Sequence, residues 1–84
     1  MPRNAMLIQL GARIKKLRLR KEISITEMAA YAGISRQHLS NVEHGKSELC
    51  VLALQKIADE LGTTMARLLS GIPVAKPDRR SPAS

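Results

Sequence analysis

Between Ala5 and Lys21 the apolar residues Leu7, Leu10, Ile14 and Leu17 recur at alternating steps of three and four, which predicts a first helix with one apolar stripe. The opposite face carries Arg13, Lys15, Lys16 and Arg20. The segment Ser24-Ile-Thr-Glu27 has capping-box form, so a short second helix starts there, turns Met28, Ala29 and Ala32 inward and stops at Gly33. Ser35 follows at once as a fresh N-cap, and a third helix runs from Arg36 to about His44, closed by Gly45. Two short helices joined this tightly, with Gly in the turn, make a helix-turn-helix. Val51, Leu54, Ile57, Ala58 and Leu61 then mark a fourth helix ended by Gly62. Thr63 or Thr64 caps a short fifth helix holding Met65, Leu68 and Leu69, ended by Gly71. From Pro73 to Ser84 the chain has prolines, serines and basic residues but no apolar period, and is expected to be a disordered tail.

The third helix is divided in a telling way. With Arg36 at zero and about 100° per residue, Gln37, Ser40, Asn41 and His44 fall within about 140° of it, and all can hydrogen-bond. Leu39 and Val42 fall near 300° and 240° on the same wheel, the side that turns inward. One face buried and one face of hydrogen-bonding groups is what a helix needs to lie in the major groove. Arg pairs with guanine O6/N7, and Gln or Asn with adenine N6/N7.

Composition narrows the class. Of 84 residues, 44% are hydrophobic, enough for a globular fold, yet there is no Phe or Trp and a single Tyr31. The core must be aliphatic, which suits packed helices better than a sheet. One cysteine, Cys50, makes no internal disulfide and asks for no oxidising compartment. No apolar run reaches the length of a membrane span and no signal-peptide core is visible, so the expected location is the cytoplasm, with nucleoid association through DNA binding. The net charge of +7 favours a polyanionic partner.

The stretch Leu10 to Leu69 resembles the Xre/Cro family of phage-repressor-type helix-turn-helix proteins. The residues that carry the resemblance are Ile23-Ser-Ile-Thr-Glu-Met-Ala, Ala32-Gly-Ile-Ser-Arg36, Leu39-Ser-Asn-Val-Glu-His-Gly-Lys46, Leu54-Gln-Lys-Ile-Ala58 and Leu61-Gly62. The resemblance implies an all-α, compact five-helix bundle of the lambda-repressor-like type. Residues 1–72 would form the DNA-binding domain and residues 73–84 the tail. It implies double-stranded DNA as partner and transcriptional regulation as function. Arg36, Gln37 and Asn41 match base-reading positions, with Ser40 beside them. Ser35, His44 and Lys46 match positions that touch phosphate. Arg18 and Glu43 match an ion pair between the first and third helices, with Arg18 also facing a phosphate. A homodimer through the fourth and fifth helices, using Met65, Leu68 and Leu69, would read a palindromic operator.

Three departures from the family pattern stand out. Ile25 occupies a position where relatives carry a phosphate-binding Gln. Glu22 stands where Gly ends the first helix, and Cys50 sits at the cap position of the fourth. The basic face of the first helix reads as a solvated surface that attracts DNA at long range. His38 and His44 lie roughly 240° apart on a helix, so they do not share a metal-binding face, and no metal, cofactor or small-molecule ligand is expected. No paired carboxylates, nucleophile–base pair or phosphate-cradling glycine loop suggests an enzyme. The competing class is an antitoxin-like interaction protein, whose tail with Lys76, Arg79 and Arg80 would fold on a partner while the same domain autoregulates.

Overall fold

Ala5–Arg20 form α1, Ile25–Ala32 α2, Arg36–Glu43 α3, Val51–Glu60 α4 and Met65–Leu69 α5. These assignments come from a computed structural model, which describes residues 5–72; the tail expected over 73–84 lies outside the described residues. Among the described residues there is no strand.

The start and stop signals operate as their chemistry requires. The Ser24 hydroxyl accepts from the Glu27 amide at 3.0 Å, and the Glu27 carboxylate accepts from the Ser24 amide at 3.0 Å. At the other end of α2, Gly33 adopts φ 75°, which lets the Ile34 amide reach the Ala29 carbonyl and its own amide the Ala30 carbonyl. Ser35 then caps α3 through the His38 amide at 2.9 Å. The link between α2 and α3 is three residues, each with a defined geometric task. Thr64, rather than Thr63, caps α5 by accepting from the Arg67 amide. Cys50 has the extended backbone of an N-cap but makes no side-chain cap bond, so the α4 amides lack the partner that Ser or Asp would supply. Glu22 ends α1 at φ 59°, the left-handed region its position demands.

The core is built from Leu10 and Ile14 of α1, Met28, Ala29 and Ala32 of α2, Leu39 and Val42 of α3, and Ala53, Leu54, Ile57 and Ala58 of α4. Leu61, Leu68 and Ile72 complete it. α2 packs on α3 and α4, α1 on α3 and α5, and α5 on α4. Gly11 makes the α1–α3 contact possible. It is buried in the middle of α1, and a methyl group there would overlap the Val42 carbonyl oxygen and press on the Glu43 carbonyl. Glycine weakens a helix interior, but here its missing side chain is the space α3 occupies.

Two apolar residues depart from the sequence pattern. Val51 is 65% exposed. The buried positions of α4 centre about 90° from it on the helical wheel, and it lies in the first turn, so it stands at the edge of the stripe. Leu68 is 1% exposed and belongs to the protomer's own core. It therefore has no surface to give a second subunit, and the dimer expectation loses that residue. Met65 and Leu69 are half-buried against the core and keep an accessible part.

Candidate nucleic-acid interface

α3 is fixed from below and open above. Leu39 and Val42 are fully enclosed, whereas Arg36 and Gln37 are exposed and Ser40 and Asn41 half-exposed. The four polar side chains thus share the outward face that the helical wheel assigned them. The Gln37 amide nitrogen donates to the Asn41 carboxamide oxygen at 3.1 Å. That bond pairs two side chains one helical turn apart and orients both amides, each of which carries further donor and acceptor capacity.

What holds α3 in place is the buried pair beneath its last turn. Arg18 Nε donates to Glu43 Oε2 at 2.7 Å and Nη2 donates to Oε1 at 3.1 Å. Arg18 Nη1 donates to the Ile23 carbonyl at 2.8 Å. Every guanidinium nitrogen is engaged inside the protein and the residue is 7% exposed. The expectation that Arg18 also faces a phosphate is corrected: burial removes it from any duplex, and its role is to join α1, the α1–α2 turn and α3.

Ser35, His44 and Lys46 are exposed and bracket α3, Ser35 at its start and the other two just past its end. The Ser35 hydroxyl accepts the cap bond and still has its own proton to donate, so capping and phosphate contact are compatible. His44 Nδ1 lies 2.7 Å from the Ser40 carbonyl, and His38 Nε2 lies 3.0 Å from the Glu48 carbonyl. Each imidazole is anchored to a separate backbone oxygen, His38 tying α3 to the loop before α4. Among the described residues no cluster of His, Cys, Asp and Glu is arranged to hold a metal ion.

Two features of this region were not legible in the sequence. Ile25, the first residue of α2, lines a depression of about 350 Å³ together with Arg36, Gln37 and Ser40. The resemblance to the family implies only that Ile25 lacks a phosphate-binding side chain; its place beside Arg36 across the turn is a tertiary fact. Arg13 is likewise not part of a solvated basic face. Its Nη1 donates to the Leu68 carbonyl at 3.0 Å and also reaches the Arg67 and Ser70 carbonyls, closing the C-terminal end of α5. Lys15, Lys16 and Arg20 remain exposed on α1.

A bundle with a capped, Gly-turned helix pair and one outward polar face on its second helix defines a helix-turn-helix protein. The chain matches the helix-turn-helix family HTH_3 over residues 14–68, and it belongs to that family of DNA-binding regulators. Control protein C.MunI of Mycoplasma sp is 36% identical over 70 residues, covering 82% of this chain and 95% of the relative. The restriction-modification controller protein C.AhdI from Aeromonas hydrophila superposes with a TM-score of 0.69 at 27% identity, covering 74% of this chain and 94% of that one. SinR of Bacillus subtilis, a master regulator for biofilm formation solved in complex with DNA, superposes with a TM-score of 0.67 at 31% identity, covering 73% and 98%. No helix among the described residues is long and apolar enough to cross a membrane.

Proposed function

We propose that this chain is a sequence-specific transcriptional regulator that binds double-stranded DNA with α3 in the major groove. The observation that carries the reading is the single outward face of α3, where Arg36, Gln37, Ser40 and Asn41 stand over a core-locked helix. Arg36 suits guanine O6/N7, and the Gln37–Asn41 pair suits adenine N6/N7, so the half-site mixes guanine and adenine. Ser35 and Lys46 donate to phosphates at either end of the helix and set its register, with His44 beside Lys46 at the C-terminal end. The excess positive charge, including exposed Lys15, Lys16 and Arg20, attracts the duplex before contact.

One such domain reads one half-site, and a symmetric pair reads a palindrome. The accessible parts of Met65 and Leu69 on α5, with Val51 and Leu52 exposed on α4, are the apolar surface for that pairing. Within the regulators, the nearly full-length similarity to two control proteins favours a restriction-modification controller acting in the cytoplasm. Selection of bound duplexes from a random library tests the proposal. The expected result is a two-fold symmetric motif rich in guanine and adenine contacts. Binding with no enriched motif, fading uniformly as salt rises, would refute it.

A further inference from the structure

The depression beside α3 has walls of two kinds. Arg36, Gln37 and Ser40 supply hydrogen-bonding groups, and Ile25 supplies an apolar wall. Ile25 is packed on the core through part of its surface and is otherwise accessible, and the Ser24–Glu27 capping box fixes the helix end that carries it. Its position is therefore not adjustable, whereas the long side chain of Arg36 is.

In the major groove one base edge matches such a surface. Thymine displays a hydrogen-bond acceptor, O4, next to a C5 methyl group, whereas guanine and adenine offer only polar groups there and cytosine an amino donor. The Ser40 hydroxyl in the same wall can donate to O4 while Arg36 serves guanine, and cytosine, which lacks the methyl, gives Ile25 nothing to pack on. We infer that Ile25 is a specificity-determining residue that packs against a thymine methyl group in each half-site, with the O4 of that base turned toward the polar side of the depression. An isoleucine at the start of α2 is then a methyl reader rather than a lost backbone anchor. The inference rests on the proposal that α3 enters the major groove.

The test changes the DNA first. In the enriched duplex each thymine is replaced in turn by deoxyuridine, which deletes the methyl and keeps O4. One thymine per half-site is expected to lose about fourfold in affinity on this change, the effect of one methyl group no longer buried. With Ile25→Ala the ratio of thymine to uracil affinity at that position falls to about one, while discrimination at the guanine and adenine positions persists. Ile25→Val, which keeps a branched apolar wall and perturbs the core least, retains part of the ratio. If every deoxyuridine substitution is silent, or if Ile25→Ala keeps the wild-type ratio, the inference is wrong even though the motif stands. If no motif is enriched at all, the reading of α3 fails and this one falls with it.

Discussion

Arg18 and Glu43 meet through two parallel hydrogen bonds, Nε to Oε2 at 2.7 Å and Nη2 to Oε1 at 3.1 Å, with both side chains buried. Glu43 is the last residue of α3, so the pair ties that helix to α1 from its buried side, away from the outward polar face. Burying two charges costs desolvation that their attraction only partly offsets, so the pair's value lies in geometry as much as in stability. Removing one partner is a different matter. Glu43→Ala leaves a guanidinium enclosed without its counter-charge and should destabilise the fold by about 3–5 kcal/mol. The double substitution Arg18→Met/Glu43→Leu should be more stable than Glu43→Ala. Urea unfolding of the three proteins checks this, and a double variant no better than the single would contradict it.

Gly11 gives a prediction whose sign is decided by packing against propensity. Helix propensity alone says that Gly11→Ala gains about 1 kcal/mol. The structure puts the Val42 carbonyl oxygen in the space the new methyl would take, and backbone yields less readily than a side chain. Gly11→Ala should therefore lose about 1–3 kcal/mol, the usual cost of overpacking. It should also weaken DNA binding by displacing α3. Chemical denaturation and a binding titration on the same protein measure both effects; a stabilised, normally binding variant would show that α1 and α3 are less closely apposed.

Arg13 separates structural from electrostatic use of a cation. It donates to carbonyls that α5 cannot satisfy itself, so Arg13→Gln should cost on the order of 1 kcal/mol of stability. Since the side chain is engaged within the protein, the slope of log affinity against log salt should stay unchanged. Lys46→Ala should do the reverse, leaving stability alone and reducing that slope by about one. Thermal unfolding and salt titrations of both variants distinguish the roles.

Cys50 is an N-cap by backbone and not by side chain. Cys50→Ser supplies an oxygen acceptor where the α4 amides lack one, and should stabilise the protein by about 0.5–1 kcal/mol. It also removes an exposed thiol. A melting temperature equal to or below that of the parent would mean that the α4 amides are already satisfied by water.

What could be read from the sequence was local. Ser24, Glu27, Gly33 and Ser35 act on backbone groups within a few residues, so the α2–turn–α3 unit was visible from spacing and residue type. The division of α3 was visible for the same reason, because Leu39 and Val42 alternate with Gln37, Ser40 and Asn41 at helical phase. Residues whose role depends on a distant partner were not visible. Arg13 finds its acceptors more than fifty residues away, and periodicity could only place it on an outer face. Gly11 has no local turn or cap to explain it, and its use is visible only in the tertiary structure, where the Val42 carbonyl occupies the space beside it. Val51 fitted an apolar period yet stands at its edge, and Leu68 proved too well buried to serve an interface. Ile25 gained a meaning only when the turn brought it beside Arg36.

The central claim is that the outward face of α3 discriminates among base sequences, and the most direct test is a ratio. The affinity of the protein for its selected duplex is divided by its affinity for a scrambled duplex of equal length at the same salt, for wild type and for Arg36→Ala/Gln37→Ala. If α3 reads bases, the ratio falls by about tenfold or more in the variant, since each lost bidentate contact removes roughly 1–3 kcal/mol of discrimination, while scrambled-duplex binding changes little. A ratio that stays constant as both affinities fall together would mean that these side chains attract DNA without reading it.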